Sequence, residues 1–208
     1  MEFVNIALAK GRLAEKTIKM MNNQGITFPD YHTNSRKLIF ENDFEKIRII
    51  FVKPSDVAIY VEKGAADLGV LGKDILMESE ADLYEVMDLG FGSCKFAVAA
   101  LRDYVDLPGK KIRVASKFPN VSKKYFNELG RPIEVIKLNG SVELAPIIGL
   151  ADVIVDIVET GKTLEENGLV VINEICKVSA RLVANKVSFK TKMNHITRII
   201  EGLKRGAE

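Results

Sequence analysis

The chain has 208 residues, 47% of them apolar, and 30 basic against 28 acidic side chains leave a formal net charge of +2. That length suffices for one large domain or two small ones with a real core, and the charge balance excludes a nucleic-acid-binding surface as the main function. Cys94 and Cys176 are the two cysteines; they fit no zinc or disulfide framework and point to a reducing compartment.

The N-terminus, MEFVNIALAKGRL, lacks a basic region followed by a long apolar stretch, so it does not read as a signal peptide. No apolar run approaches the ~20 residues that span a bilayer, and the expected location is the cytoplasm. Val4–Leu8 predicts a strand and Arg12–Asn23 a helix, with Leu13, Ile18 and Met21 at apolar positions and the Met20-Met21 pair as core. Between them Ala9-Lys10-Gly11-Arg12-Leu13 forms a strand-to-helix turn carrying two cations. Helix N-terminal N–H groups and a guanidinium suit phosphate or pyrophosphate; a solvated basic turn is the other reading. Lys37–Phe40 and Ile47–Val52 read as paired strands joined by the Asn42-Asp43 turn. Ser35-Arg36-Lys37 and Lys53-Pro54-Ser55-Asp56 add further cations at element ends, which favours a highly anionic ligand. Ser55–Gly64 predicts a helix capped by Ser55 or Asp56, Leu68–Leu71 a short buried strand, and Asp74–Glu78 a helix.

Leu83–Leu101 reads as mostly extended, interrupted by Gly90 and Gly92. The alternation then restarts: strand Ile112–Ala115, helix Asn120–Leu129, strand Glu134–Leu138, helix Val142–Leu150 and strand Val153–Val158. Such alternation predicts α/β layers with mainly parallel sheets. Gly64-Ala65-Ala66-Asp67 before one strand is echoed by Gly149-Leu150-Ala151-Asp152 before another, suggesting two similar units. The extended stretch Val170–Asn185 would return the chain to the first unit, and Lys192–Lys204, with His195 and Arg198, closes it as a helix. The expected division is residues 1–93 with 180–208, and residues 94–179, with a hinge at two crossings and a cleft between lobes. His32, His195, Cys94 and Cys176 read as structural or surface residues, and Tyr125 and Phe126 as helix core.

The segment DIVETGKTL, Asp156 to Leu164, resembles the end of a P-loop, but five residues before Gly161 stands Asp156 where that motif requires glycine. The order is instead buried strand, acid, Thr-Gly-x-Thr, helix, with Thr163 and Glu166 as a candidate capping box. Thr160 and Thr163 bring hydroxyls, Gly161 permits close backbone approach, and ionised carboxylates accept from sugar hydroxyls. These features suit a sugar phosphate; an ordinary solvated turn is the alternative that the residues alone leave open.

Together IALAKGRL, SRKLIF, DVAIYVEKGAADLGVLGKDIL, LGFGSCKF, RVASKFPN, LNGSVELAP and GLADVIVDIVETGKTLEENGL resemble the catalytic subunits of the ATP phosphoribosyltransferase family over nearly the whole chain. The most specific part is Glu143 through Leu164. The resemblance implies two α/β lobes of the type II periplasmic-binding-protein kind with a hinge and central cleft, the second lobe carrying the phosphoribosyl-binding loop. It implies attack of adenine N1 of ATP on the anomeric carbon of 5-phosphoribosyl 1-pyrophosphate, with inversion and loss of Mg²⁺-bound pyrophosphate, opening histidine biosynthesis. Thr160, Gly161, Lys162 and Thr163 are then expected on the 5-phosphate and Asp156 or Glu159 near the ribose. Arg12 and Arg36 are the expected catalytic cations on pyrophosphate and the ATP phosphates, assisted by Lys10, Gly11 and Lys53, with no protein-held metal. Ala9 stands where the family often has Pro, and the family does not always keep an acid at the position of Glu159. The length resembles the short form, which implies a catalytic homodimer and a histidyl-tRNA-synthetase-like regulatory subunit in a hetero-octamer. A non-catalytic solute-binding protein of the same fold is the competing reading.

Overall fold

Alternating β-branched runs and helical spacing build two separate α/β units in this computed structural model, which describes residues 2–207. One unit extends to Gly92 and resumes at Ser179; the other spans Ser93–Val178. Two such units, each with its own mixed sheet and linked by two chain crossings, form a type II periplasmic-binding-protein-like fold.

In the first unit, β1 (Val4–Ala9), β2 (Ile39–Asn42), β3 (Ile47–Val52), β4 (Leu68–Gly72), β5 (Tyr84–Asp88) and β11 (Ala180–Ala184) lie in the order β2-β3-β1-β4-β11-β5. Strands β3, β1 and β4 are parallel, while β2 and β11 run antiparallel to their neighbours. Successive strand residues face opposite sides, and the burial follows that period. Val4, Ile6 and Leu8 join a core with Ala14, Ile18 and Met21 of α1 (Arg12–Asn23) and Ile196, Ile199 and Leu203 of α8 (Met193–Ala207). Ala7 and Val183 face the other way, onto Val57, Ala58 and Val61 of α2 (Val57–Glu62), with Ile75 and Leu76 of α3 (Lys73–Ser79) packed at the margin. There α2 lies close against β4: a Cβ on Gly69 would stand 2.7 Å from Val61 Cγ2. Each aliphatic side chain buried this way is worth about 1.5–3 kcal/mol. The exposed ion pairs on the same unit, such as Lys37–Asp30, contribute about 0–1 kcal/mol each, so the apolar layers hold the fold.

The second unit holds β6 (Cys94–Leu101), β7 (Ile112–Ser116), β8 (Ile133–Lys137), β9 (Val153–Val158) and β10 (Leu169–Val178) in the order β10-β6-β9-β7-β8. Its helices are α4 (Pro119–Glu128), α5 (Leu144–Ile147) and α6 (Lys162–Glu166). Strands β7, β8 and β9 are parallel, and β6 and β10 antiparallel, β10 with two register shifts. Cys94 and Cys176 sit half-buried on the paired strands β6 and β10, without a disulfide between them.

The short sequence echo has a structural basis. Asp67 and Asp152 each precede a strand, and each exchanges two hydrogen bonds with the neighbouring parallel strand. Asp67 N–H donates to Asn5 O at 2.8 Å and its carboxylate accepts from Asn5 N–H at 2.8 Å. Asp152 N–H donates to Arg113 O at 2.9 Å and its carboxylate accepts from Arg113 N–H at 2.8 Å. Gly64 and Gly149, three residues before each acid, share φ near +73°, a value an L side chain resists. Each acid also has a cation: Lys192 Nζ reaches Asp67 at 3.1 Å and the Arg113 guanidinium reaches Asp152 at 2.8 Å. The Arg113 hydrogen bond is the main reason the Asp152 carboxyl lies below the usual carboxylate range.

Several boundaries differ from the sequence reading for local reasons. The first hairpin strand starts at Ile39, because Lys37 N–H is turned onto Ser35 Oγ at 3.2 Å. The segment expected to be helical from Ser55 opens as a single 3₁₀ turn, Pro54–Asp56. Neither Ser55 nor Asp56 caps α2 with its side chain; Ser55 Oγ–H donates to Asp56 Oδ1 at 2.9 Å. The expected helix Val142–Leu150 shrinks to Leu144–Ile147, bounded by Ser141 at φ 49° and Gly149 at φ 73°. The expected Lys192–Lys204 helix is found as α8, and a further short helix not expected from the sequence, α7 (Lys186–Thr191), precedes it, capped by Asn185 Oδ1 accepting from Val187 and Ser188 N–H.

Candidate functional site

In open α/β sheets ligands gather at the carboxyl ends of the parallel strands, and in each unit the cation-bearing or glycine-bearing turns fall there. In the first unit Ala9 pairs with Val52 at the ends of β1 and β3, so Lys10 and Lys53 leave the sheet side by side, on strands about 4.8 Å apart. Lys10 is exposed, and its Nζ donates to Ser35 O at 2.5 Å and stands 5.7 Å from the Phe51 ring centroid. This ties the segment bearing the exposed Arg36 to the β1–α1 turn. Gly11 precedes α1 at φ 119°, ψ −164°; a Cβ there would meet nothing within 4 Å, so backbone conformation rather than space requires glycine. Arg12 is the first, exposed residue of α1, where amides lack intrahelical partners. Lys53 is exposed and precedes the 3₁₀ turn.

A small pocket at this edge is lined by Lys10, Gly11, Glu15, Tyr31, His32 and Ser35 among others. Its back wall is an aromatic cluster in which Tyr31 stacks on Phe51 at 5.8 Å and meets Phe40 edge-on at 5.3 Å. Sequence reasoning passed over Tyr31, which belongs to none of the cationic or glycine-bearing turns, and named Ser35 only as part of the cationic Ser35-Arg36-Lys37 segment. His32 is exposed and lines this pocket. His195, in contrast, is buried, with Nε2 2.9 Å from Glu45 O. Burial first, and the Lys192 charge second, hold it below the usual histidine pKa, so the neutral ring donates from Nε2.

In the second unit β9 delivers Asp156, half-buried, whose Oδ1 accepts from Ile157 N–H at 2.8 Å. Val158 and Leu164 are both buried in one core cluster with Ala97, Ile154 and Leu169. The five residues between them, Glu159, Thr160, Gly161, Lys162 and Thr163, are therefore a surface loop anchored at both ends. Gly161 sits at φ 80°, ψ −3°, immediately before α6, and accepts from Glu165 N–H at 3.0 Å. The expected Thr163 N-cap is corrected here. The left-handed Gly161 starts the helix two residues earlier, Lys162 is its first residue, and no side chain caps it. Thr160 Oγ1 instead lies 3.4 Å from Lys162 N–H. Lys162 extends into solvent and pairs loosely with Glu166 at 3.6 Å.

Sequence reasoning also passed over Ser116. This buried residue at the end of β7 donates its hydroxyl to Val155 O at 2.6 Å and accepts from Phe118 N–H at 2.8 Å. It fixes the β7–α4 turn beside the strand that carries Asp156, placing exposed Lys117 at the same edge. Only the pairing of β7 with β9 reveals this. Among the described residues no group of three or more His, Cys, Asp or Glu side chains could hold a metal ion, and no helix is long and apolar enough to cross a membrane.

A family model described as HisG: ATP phosphoribosyltransferase matches residues 53–205. The chain is 54% identical over 201 residues to an ATP phosphoribosyltransferase of Clostridioides difficile (strain 630), covering 96% of both chains. It is 54% identical over 208 residues to one of Clostridium novyi (strain NT), covering 99% of this chain and 98% of the other. Among solved structures it is similar to the ATP phosphoribosyl transferase (HisG:HisZ) complex from Thermotoga maritima. There the TM-score is 0.87 at 35% identity, covering 99% of this chain and 98% of that one.

Proposed function

The chain belongs to the ATP phosphoribosyltransferase family and transfers the 5-phosphoribosyl group from phosphoribosyl pyrophosphate to N1 of ATP, the first step of histidine biosynthesis; from that premise we propose which residues carry the transfer. A non-catalytic solute-binding role is not favoured, given transferases 54% identical over 96% of both chains.

The observation that carries the assignment is the doubly anchored loop between Val158 and Leu164. The amides at the start of α6 and the hydroxyls of Thr160 and Thr163 bind the 5-phosphate, with Lys162 adding charge. Gly161 gives the turn its left-handed residue. Asp156 and Glu159, as ionised acceptors, take the ribose hydroxyls. In the first unit Arg12 and Arg36 act on pyrophosphate and the ATP phosphates, and Lys10, Gly11 and Lys53 complete that anion site. Negative charge grows on departing pyrophosphate, so fixed cations there stabilise the transition state more than the ground state. Adenine N1 already carries a lone pair, and the mechanism requires no general base. Mg²⁺ enters with the substrates, chelated by pyrophosphate and triphosphate.

The chain acts as a homodimer in the cytoplasm and assembles with a histidyl-tRNA-synthetase-like regulatory subunit into a hetero-octamer. The support for a partner is the Thermotoga maritima relative, whose structure is a HisG:HisZ complex.

The test is a spectrophotometric assay of the purified chain with ATP, phosphoribosyl pyrophosphate and Mg²⁺, with pyrophosphatase added to pull the reaction forward. Formation of N1-substituted adenine should be seen with the unmodified chain, alone or with its regulatory subunit, and should vanish in Asp156→Ala and Arg12→Ala. Wild-type kcat/KM in both variants would remove these residues from the site.

A further inference from the structure

The second unit contains a cavity of about 280 Å³ that the transfer does not use. It lies at the opposite end of the sheet from the Glu159–Thr163 loop. Ile112 and Val153, which line it, are the first residues of β7 and β9, whereas the loop follows the last residue of β9. The six residues of β9 separate the two by roughly 20 Å at 3.3 Å per residue.

The floor is aliphatic, made by Val98, Ile112 and Val153 from three strands, and one wall is aromatic, with Tyr125 and Phe126 on α4. Leu129 and Ile172 stand at the mouth, 55% and 41% exposed, although both are large apolar residues. One side is polar: Arg131 donates from both terminal nitrogens to Asp106, at 2.7 and 2.6 Å, which cancels the charge of each. The third guanidinium nitrogen, whose Nε–H is one of five donors, is buried and has no hydrogen-bond partner among the described residues. A buried donor without a partner is a standing cost that an acceptor would remove. Tyr104, hydrogen-bonded to Asp106, Tyr125 and Asn173 complete the polar lining, and burial pushes both tyrosines above the usual tyrosine pKa, so both hydroxyls are neutral at pH 7. An apolar, ring-sized hollow with few placed polar groups is the form small-molecule sites take.

We propose that this cavity is a binding site, separate from the transferase site, for a neutral planar aromatic or heteroaromatic molecule that offers one hydrogen-bond acceptor to Arg131 Nε–H. Its volume admits a single small ring system, the balanced Arg131–Asp106 pair disfavours charged ligands, and β9 links its floor to the phosphoribosyl loop.

Saturation-transfer NMR on the full chain tests this with two probes. Benzamide has the ring and a carbonyl acceptor; toluene has the ring alone. Benzamide is expected to bind in the millimolar range that fragments of this size reach, about tenfold more tightly than toluene, which lacks the acceptor. Saturating ATP and phosphoribosyl pyrophosphate should leave it bound. Ile172→Trp, a change at an exposed strand position that plugs the mouth, should abolish binding of both probes. Arg131→Lys keeps a cation for Asp106 but lacks Nε–H, and should make benzamide no better than toluene. Several results overturn the proposal: no transfer to benzamide, displacement by the substrates, unchanged binding in Ile172→Trp, or an undiminished benzamide advantage in Arg131→Lys. Thermal melts of both variants serve as the fold control.

Discussion

Replacing Gly161 by alanine isolates a backbone effect at the loop proposed to bind the phosphoribosyl group. An added Cβ would meet only Val158 Cγ1, at 3.8 Å, an ordinary contact, so sterics with neighbours contribute little. The cost is conformational: φ is 80°, and holding an alanine in the left-handed region costs about 1–2 kcal/mol. The loop lies at the surface, anchored in the core through Val158 and Leu164 at its two ends, so in the free enzyme it can relax to a negative φ and escape that cost. Phosphate binding must then restore the turn. At 1.4 kcal/mol per tenfold, KM for phosphoribosyl pyrophosphate should rise roughly 5- to 30-fold while KM for ATP changes by less than about twofold. Gly161→Asn is the internal control, because asparagine tolerates the left-handed region, and its KM should lie within about threefold of the unmodified enzyme. Steady-state kinetics with each substrate varied in turn decides the matter. Equal effects of alanine and asparagine, or an equal rise in both KM values, would refute the conformational argument.

Lys10→Met releases the Ser35–Arg36 segment and Arg36→Ala removes its cation; each should lower kcat/KM by about 10². Because they act through one loop, the double variant should lose far less than the product, and full additivity in the kinetics would separate them. Asp152→Asn breaks the Arg113 pair and should lower stability at pH 7 in urea denaturation. The Asp152 carboxyl is depressed in the fold, so its contribution is present above the ordinary pKa of about 3.9 and disappears as pH falls through the folded value. The wild-type and Asp152→Asn curves should converge below about pH 4, and a constant gap from neutral to acid pH would count against the pair. His195 is depressed too, so only the unfolded chain takes up its proton just below about pH 6.5. Stability should therefore rise with pH up to that value. His195→Gln should flatten that rise; an unchanged slope would place its origin elsewhere.

Much of the chain was legible because its information is local. Strand β9 and the Thr-Gly-x-Thr turn are a run of consecutive residues, and β-branched burial followed by glycine is a signal within one peptide. Alternation predicted the α/β layers, the family resemblance implied the type II periplasmic-binding-protein-like fold, and the GAAD and GLAD echoes marked the two acids that bind neighbouring parallel strands in the same way. Element ends were less legible. Thr163 looked like a cap by spacing, yet a left-handed Gly161 moved the helix start, and the choice between two adjacent turns depends on backbone conformation. Ser116, Tyr31 and the partnerless Arg131 Nε were invisible for a stronger reason. Each acquires its meaning from residues far along the chain: Val155 for Ser116, Phe40 and Phe51 for Tyr31, Asp106 and the cavity for Arg131. Sequence alone determined the layers, the loop chemistry and the family resemblance, because periodicity and short motifs are properties of neighbouring residues. Strand order and packing decided which cations share an edge and where a cavity is left, because those depend on which distant segments hydrogen-bond side by side.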